Sequence, residues 1–260
     1  MSIRFENITK SFGSRRILDH INFTVDTGEI LFILGRSGMG KSVTLKHIIG
    51  LLKPDAGSVF VDDSNVSQSK DGDLAAIRQR CGMVFQHPAL LDSLSVFDNV
   101  AFGLRTPQYL AAKGLSKPLS DAETRKVVIE KLKLVHLPES ILKRKPAEIS
   151  YGMQKRVSLA RTLAPEPRYL LFDEPTTGLD PISTQAINKL IQELSRKLKV
   201  TSVVVSHDMH CALAIADRIL VLDEGKILAL ADVKGIKASK EPLIQDFLVE
   251  ALALESQAHA

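Results

Sequence analysis

The sequence has no tryptophan, and aromatic residues make up only 5% of its 260 residues, so its core must be built mainly from aliphatic side chains. Its two cysteines, Cys81 and Cys211, lie too far apart for metal-ligand spacing and are too few for a disulfide scaffold. We expect buried thiols in a reducing compartment. No apolar run approaches the roughly 20 residues that span a bilayer, and the N-terminus lacks signal-peptide features. These absences predict a cytosolic chain that reaches a membrane only through a partner.

The charge is nearly balanced, since 34 basic and 30 acidic residues leave a net charge of +4. That excess is too small to argue for nucleic acid as a partner, and the basic run 143–145 is interpreted as a solvated face. A chain of this length that is 45% hydrophobic can bury a large core. One domain with an insertion is therefore expected.

Apolar runs alternate with helical patterns along the chain. Residues 30–34 form a continuous apolar run, typical of a strand buried on both faces, and a glycine-rich turn and a helical pattern follow it. Between about 86 and 161 the strand-like runs vanish and helical segments predominate. Later elements are predicted as strands at 169–172, 202–205 and 219–222 and a helix over 182–198. This order predicts an α/β fold with a mostly parallel core sheet and a helical insertion.

The insertion and the tail carry their own local signals. Ser120 and Glu123 have the spacing of a capping box, which opens an amphipathic helix running through Leu134. The stretch 107–118 is interpreted as an exposed connection. The tail 241–260 has the pattern of an amphipathic helix that frays into a polar end.

A P-loop pattern, G-R-S-G-M-G-K-S, follows the run 30–34 and precedes a helical pattern, as this motif requires. In such a loop consecutive backbone N–H groups and a helix N-terminus face the phosphates of a nucleotide. Lys41 is predicted to reach the β- and γ-phosphates of ATP, and the Ser42 hydroxyl to bind Mg²⁺, which prefers oxygen ligands. The predicted nucleotide contacts of this segment are Gly35, Arg36, Ser37, Gly38, Met39, Gly40, Lys41, Ser42 and Val43.

Two carboxylates, Asp173 and Glu174, follow the predicted strand 169–172. Seen alone, such a pair is a solvated turn as often as it is a functional site. Ligands gather at the carboxyl ends of strands in an open α/β sheet, so this pair is expected to face the P-loop. Asp173 is predicted to hold Mg²⁺ through its water shell, and Glu174 to polarise the attacking water as general base. His207 ends another predicted strand at the same edge; a lone histidine is more often structural, but this one can hydrogen-bond a γ-phosphate oxygen.

The stretch 149–156, I-S-Y-G-M-Q-K-R, resembles the signature motif of the nucleotide-binding subunits of ABC transporters. The resemblance covers essentially residues 1–232. It implies an ATPase domain over 1–240 with the P-loop NTPase fold: a mostly parallel core sheet, an N-terminal antiparallel β part and a helical subdomain inserted at about 87–161. ATP and Mg²⁺ are the implied cofactors.

Further residues gain roles through this resemblance. Phe12 stands where the family has the aromatic ring that stacks on adenine, and Gln86 where it has the Q-loop glutamine. The stretch 177–180, which ends in Asp180, resembles the D-loop, and His207 the switch histidine. The implied catalytic set is Lys41, Gln86, Glu174 and His207, and the implied Mg²⁺ ligands are Ser42, Gln86 and Asp173.

The family also implies two copies that meet head to tail. In that arrangement Ser150 and Gly152 of one copy close over the ATP held by Lys41 of the other, and Gln154 and Asp180 are further implied nucleotide contacts. A helix N-terminus opening at Ser150 would be an anion site, which supports this reading on physical grounds.

One position departs from the family pattern. Tyr151 stands where the family usually has glycine, so a large side chain lies where the backbone must approach the partner's nucleotide. If the ring turns outward, the retained Gly152 suffices for closure; if it does not, closure and turnover are weakened. We expect a working but slow ATPase.

Within the family, the stretches 83–102, 201–217 and 242–248 are similar to the ATPases of Mla-type lipid transport systems. Those systems work with an MCE-domain substrate-binding protein and move phospholipid between the two membranes of a Gram-negative envelope. The implied partners are an integral membrane permease and such an MCE protein, and the implied location is the cytoplasmic face of the inner membrane. The family's permease docks in a groove beside Gln86. Four apolar residues lie near Gln86 in the sequence: Phe97, Val100, Phe102 and Leu104. Most of them are interpreted as part of the intramolecular core, and an apolar docking face for the permease is the alternative.

Two other functions stay open. An amino-acid importer ATPase is the first, since its sequences are close relatives. A soluble ABC protein of translation or DNA repair is the second. Such proteins usually carry two nucleotide-binding halves or a long coiled-coil insertion, and 260 residues without heptads hold neither.

Overall fold

The computed structural model describes the backbone of residues 2–258 and the side chains of residues 2–252. It divides into two compact units, of which the first contains the chain up to Ile77 and again from Ile191, and the second comprises Arg78–Leu190. The strands are β1 (Ile3–Phe12), β2 (Arg15–Val25), β3 (Ile30–Leu34), β4 (Ala56–Val61), β5 (Ser64–Asn65), β6 (Cys81–Val84), β7 (Tyr169–Asp173), β8 (Thr201–Ser206), β9 (Arg218–Asp223) and β10 (Lys226–Asp232). The α-helices are α1 (Lys41–Ile48), α2 (Asp71–Arg80), α3 (Val96–Ala101), α4 (Pro107–Ala112), α5 (Asp121–Leu134), α6 (Tyr151–Leu163), α7 (Pro181–Leu198), α8 (Met209–Ile215), α9 (Val233–Lys237) and α10 (Pro242–Ala258).

The first unit contains an antiparallel sheet with the strand order β2-β1-β4-β5. Phe5 and Phe23 stack between its first two strands, with ring centroids 4.4 Å apart. In the same unit β3 lies between β8 and β9 and runs parallel to both, while β10 pairs antiparallel with β9. All five residues of β3 are buried, as predicted for a strand covered on both faces.

The second unit contains the parallel pair β6 and β7 and a set of helices. Helices α3, α5 and α6 contact one another, and each contributes a fully buried valine: Val100, Val128 and Val157. No strand lies between β6 and β7, so the helical character predicted for this part of the chain is confirmed. The α/β fold with parallel core strands and an antiparallel N-terminal part is also confirmed.

Helix α5 begins and ends as the sequence predicts. The Ser120 hydroxyl oxygen accepts a hydrogen bond from the backbone N–H of Glu123, and the Glu123 carboxylate accepts one from the backbone N–H of Ser120. This reciprocal capping box satisfies two N–H groups that the first turn of a helix leaves without partners. Both cysteines are buried and are not joined in a disulfide, as expected for buried thiols.

Most residues of 107–118 are exposed, as expected for an exposed connection, but the first half of this stretch forms the helix α4 and not a loop. The Thr106 hydroxyl caps this helix by accepting a hydrogen bond from the backbone N–H of Tyr109. Pro107 occupies the first turn, where a missing N–H costs nothing. Tyr109 is buried, so the segment packs against the unit rather than running free.

The tail forms α10, which contacts α8. Ile244, Phe247 and Ala251 are buried on one face, whereas Val249 and Leu252 are largely exposed on another. The helix predicted for the tail is present as α10, and the fraying polar end predicted for it lies beyond the described side chains, which end at residue 252. Within residues 2–258, no helix is both long and apolar enough to cross a bilayer.

His47 lies on the buried side of α1 with 1% of its surface exposed. Its Nδ1 atom donates to the carbonyl oxygen of Leu52 at 2.8 Å, which leaves Nε2 unprotonated, and this buried nitrogen has no hydrogen-bond partner in the described structure. Burial lowers the pKa of His47 below its ordinary value, because the charged ring would lose its hydration.

Acid is therefore expected to destabilise the fold through this side chain. The unfolded chain takes up the proton at about pH 6.5 and the folded chain only at a lower pH. The free energy of unfolding therefore keeps its full value above about pH 6.5 and falls below it. The loss is at most about 1.4 kcal/mol per pH unit. Asparagine keeps a side-chain N–H near the position of Nδ1 and does not titrate. The urea midpoint of His47→Asn should thus fall less than that of the wild type between about pH 7 and pH 5.5; equal pH slopes would contradict the assignment.

Candidate functional site

The P-loop connects β3 to α1, and its backbone follows from its glycines. Gly40 has φ +94°, and a side chain there would also collide with Leu18 and with the carbonyl oxygen of Ile17. At Gly35 an added Cβ would collide with the carbonyl oxygen of Leu222. Residues 36–38 are exposed at the tip of the loop. The chain therefore needs glycine at 35 and 40, where it turns tightly into α1. A helix N-terminus that follows such a turn has the backbone N–H groups and the dipole that favour an anion.

Lys41 is buried at the start of α1, with 6% of its surface exposed. Its ammonium donates to the carbonyl oxygens of Gly35 at 2.7 Å and Arg36 at 3.0 Å. These bonds hold the cation inside the curve of the loop, where a triphosphate would lie against the N-terminus of α1. Ser42 is the next residue of the helix and is half-buried.

His207 lies at the same edge of the sheet as the P-loop, as predicted. Leu34 on β3 pairs in register with Ser206 on β8, and the two strands are parallel. Gly35 and His207 follow these paired residues directly, on strands that lie about 4.8 Å apart. His207 is exposed at this edge.

The second unit has a corresponding edge at the ends of β6 and β7. Val84 pairs in register with Phe172, so Asp173 at the end of β7 and Glu174 after it lie where Gln86 follows β6. Asp173 and Glu174 are half-buried, and Gln86 is exposed. The parallel pairing therefore brings together three polar side chains that are far apart in the sequence.

Glu174 has a left-handed backbone, with φ +48°. A non-glycine residue in this conformation costs on the order of 1 kcal/mol, and such strain clusters at functional sites. One carboxylate oxygen, Oε2, accepts a hydrogen bond from the Thr177 hydroxyl at 3.2 Å, and the backbone N–H of Thr177 donates to the Glu174 carbonyl at 3.3 Å. The turn that follows β7 thus fixes the direction of this carboxylate.

Helix α6 begins at the signature motif. Ser150 is its N-cap, and the Ser150 hydroxyl accepts from the backbone N–H of Met153 at 3.3 Å. The predicted helix N-terminus at this residue is confirmed. Apart from the backbone of its own helix, an added Cβ at Gly152 would meet no atom of the described residues within 4 Å. The Gln154 amide nitrogen donates to the carbonyl oxygens of Pro146 at 3.0 Å and Ile149 at 3.3 Å, so in this structure Gln154 holds the preceding turn.

Asp180 and Phe12 are both exposed. The Asp180 carboxylate accepts hydrogen bonds from the Ser183 hydroxyl at 2.6 Å and the Ser183 backbone N–H at 3.0 Å, and these bonds lower its pKa. It thereby caps the start of α7. Phe12 is the last residue of β1, 49% exposed, with the Lys10 ammonium 5.6 Å from its ring centroid. An exposed aromatic ring at a strand end suits stacking on a base.

The four apolar residues that follow Gln86 in the sequence divide into core and surface. Val100 and Leu104 are buried and Phe97 is half-buried, whereas Phe102 is 53% exposed. The favoured intramolecular role is thus confirmed for the two buried residues. Phe102 remains the candidate for an apolar docking face.

Tyr151 folds back over its own unit. Its hydroxyl lies 3.4 Å from Nδ1 of His87, and its ring would be 3.6 Å from a Cβ added at Gly178. The Lys155 ammonium lies 5.4 Å from the ring centroid. The ring is half-buried by these neighbours.

The sequence analysis overlooked Lys155. The structure places this residue next to Gln86 and next to the turn that follows β7, which is called the Glu174 turn below. The sequence contained a signal for this residue. At helical spacing Lys155 falls on the same face of α6 as Leu159 and Leu163, and both leucines are buried. A lysine on the apolar face of a helix must find partners for its ammonium inside the protein.

A parallel strand, a glycine loop and a helix with an enclosed lysine define a nucleotide-binding protein of the P-loop class. The description "ABC transporter" belongs to the family whose profile matches residues 18–177. The chain therefore belongs to the ABC transporter family, as one of its ATP-binding, ATP-hydrolysing cassettes.

Two named relatives match over nearly the whole chain. The "Intermembrane phospholipid transport system ATP-binding protein MlaF" of Escherichia coli K12 is 39% identical over 246 residues, which cover 95% of this chain and 88% of the relative. The "Probable ribonucleotide transport ATP-binding protein mkl" of Mycobacterium tuberculosis H37Rv is 37% identical over 248 residues. This match covers 95% of the chain here and spans 66% of the length of the mycobacterial relative.

A solved structure has the same fold. It is the dimeric, post-hydrolysis state of the ATP-binding cassette MJ0796 bound to ADP and Pi, with a TM-score of 0.78 and 33% sequence identity. The likeness covers 89% of this chain and 98% of that one. The resemblance to ABC ATPases that the signature motif indicated is thereby confirmed.

Proposed function

We propose that this chain is the ATP-hydrolysing subunit of a multi-subunit ABC transporter that moves phospholipid between the membranes of a Gram-negative envelope. The likeness to MlaF carries the proposal, because it extends over most of both chains. The mycobacterial relative is named for ribonucleotide transport, and residues of an ATPase subunit do not contact the cargo. The membrane partners therefore decide between lipid transport and the importer alternative.

The P-loop is the proposed triphosphate site. The backbone N–H groups of residues 35–43 and the N-terminus of α1 would bind phosphate oxygens, and Lys41 would neutralise the β- and γ-phosphates. Its bonds to the carbonyls of Gly35 and Arg36 already hold the ammonium within the loop. Phe12 would stack on the adenine ring.

Ser42, Gln86 and Asp173 are the proposed Mg²⁺ ligands. A hydroxyl, an amide carbonyl and a carboxylate are all oxygen donors, which is the ligand chemistry that Mg²⁺ prefers. When bound, the ion would bridge phosphate oxygens and offset the charge that develops during phosphoryl transfer.

Glu174 is the proposed general base and His207 a γ-phosphate contact. The Thr177 hydroxyl orients the Glu174 carboxylate, as a base must be oriented before it can take a proton from water. His207 would hydrogen-bond the γ-phosphate at the edge where the P-loop begins.

A second copy of the chain would complete the site. Ser150 and Gly152 of that copy would close over the nucleotide, because the start of α6 presents backbone N–H groups and Gly152 has open space beside it. The dimeric MJ0796 cassette supports an arrangement of two copies.

The membrane partners are the part of the proposal that purification tests. Solubilised membranes of cells that carry the tagged full chain should yield an integral membrane permease and an MCE-domain protein, with the chain on the cytoplasmic face of the inner membrane. Recovery with ribosomes or DNA and without an integral membrane protein would overturn the proposal, and recovery with an amino-acid permease would establish the importer alternative.

Matched variants test whether the permease docks at the exposed ring of Phe102. Phe102→Asp is expected to lose the permease, because an aspartate would place a charge in an apolar contact. Val249→Asp introduces the same charge on an exposed apolar residue of α10 and should retain it. Equal recovery from both variants would place the docking face elsewhere.

A further inference from the structure

Lys155 is a buried lysine whose ammonium is held by two main-chain carbonyl groups. Only 3% of its surface is exposed. Nζ donates to the carbonyl oxygen of Gln86 at 2.5 Å and to that of Pro175 at 3.0 Å. Burial lowers its pKa to about 8, an effect that the charge of Glu174 opposes. The ammonium is therefore still mostly protonated at neutral pH, and its bonds to the carbonyls are charge-assisted.

The two carbonyls belong to the main chain beside two proposed functional side chains. Gln86 follows β6, and Pro175 follows Glu174 directly. One cation from the signature helix thus joins the main chain of both segments. Since Glu174 has a left-handed backbone, a bond to the adjacent carbonyl also supports a conformation that is costly by itself.

Tyr151 covers this cation from the first turn of the same helix. Residues 151 and 155 are four apart and share a face of α6. The Tyr151 hydroxyl lies near His87, the neighbour of Gln86, while its ring approaches Gly178 in the turn that follows Glu174. Both side chains therefore contact the same two segments, and the ring adds a cation–π contact to Lys155.

We propose that Lys155 is a positioning residue for ATP hydrolysis, which holds the main chain of Gln86 and of the Glu174 turn in the arrangement that hydrolysis requires, with Tyr151 as its cover. The proposal rests on the functions proposed above for Gln86 and Glu174. Without the ammonium, two carbonyls would lose their partner and the segments would shift to reach water or other donors. A shift of about 1 Å at reacting groups can cost about a hundredfold in rate.

Lys155→Met tests the proposal in the tagged full chain, purified with the membrane subunits that it retains. Methionine keeps an unbranched apolar side chain and removes the three N–H donors of the ammonium. The expected result is a fall in kcat of about tenfold to a hundredfold with little change in the KM for ATP, because the phosphate contacts of the P-loop are untouched.

Lys131→Met is the matched control. Lys131 is another buried lysine of the same unit, 4% exposed, but its ammonium pairs with Glu130 and Glu166. Its loss should lower stability and leave kcat within about twofold, since it does not contact the main chain of Gln86 or Pro175. A similar fall in kcat in both variants would mean that the loss of any buried lysine of this unit lowers kcat. That result would overturn the positioning role.

The outcomes separate this proposal from the proposed function. If Lys155→Met keeps its kcat while Glu174→Gln loses hydrolysis, the positioning role is wrong and the function of Glu174 stands. If Glu174→Gln itself hydrolyses ATP normally, the proposed function of that residue fails. Should Lys155→Met not fold, Lys155→Gln is measured instead, and kcat and the KM for ATP are again compared with the wild type. Its amide retains N–H donors without the charge, so a smaller fall in kcat is expected, and no fall would overturn the proposal.

Discussion

Glu174→Gln is expected to bind ATP as tightly as the wild type and to lose nearly all hydrolysis. The glutamine side chain has the same size and still accepts the hydrogen bond that the Thr177 hydroxyl donates to Glu174. It cannot take a proton from water. General-base catalysis contributes roughly 10²- to 10⁴-fold, so kcat should fall by about that factor while the Kd for ATP stays near its wild-type value.

The measurement pairs steady-state phosphate release with equilibrium binding of a fluorescent ATP analogue. Glu250→Gln is the control, because it makes the same chemical change at an exposed position of α10 and should retain full activity. An unchanged rate in Glu174→Gln would remove Glu174 as the base. A loss of binding instead would show that the carboxylate acts in holding the nucleotide complex.

Lys41→Met is expected to weaken ATP binding itself. The variant loses a cation that would contact two phosphates, and a charge-assisted hydrogen bond is worth about 1.5–3 kcal/mol. The loop also loses the bonds that Lys41 makes to the carbonyls of Gly35 and Arg36. Affinity for ATP should therefore fall roughly tenfold to a hundredfold, with hydrolysis at low ATP falling at least as far.

Lys46→Met controls for the change in net charge. Lys46 lies in the last turn of the same helix, away from the loop, so its replacement removes one positive charge without altering the P-loop. Isothermal titration with ATP and Mg²⁺ should show near wild-type affinity for this variant. Equal affinities for Lys41→Met and the wild type would exclude Lys41 from phosphate binding.

The two expected phenotypes differ because the proposed roles belong to different stages. Lys41 lies within the proposed phosphate-binding loop, so its loss is expected in the Kd. Glu174 is proposed to act on water, so its loss is expected in kcat alone. A transporter that carries Glu174→Gln should therefore accumulate with ATP bound, and one that carries Lys41→Met should remain largely without nucleotide.

Much of the fold could be predicted from the sequence because its signals are local. The apolar run of β3, the glycines before Lys41 and the Ser120–Glu123 capping box each depend on neighbours within a few residues. The missed helix α4 shows the limit of such reading. Its cap and its proline were visible in the sequence, but the buried ring of Tyr109 depends on packing that no local pattern contains.

The sequence alone determined the family of this ATPase and its candidate functional groups: the P-loop pattern, the acids at the end of β7 and the signature at the start of α6. The tertiary structure decided how these groups are held. Parallel pairing of β6 and β7 brings Gln86 to the edge where Asp173 and Glu174 lie. Lys155 reaches the carbonyl of Gln86 across 69 positions of sequence. Such contacts depend on which side chains share a buried space after packing, and a buried ammonium accepts whichever carbonyls the fold places within its reach.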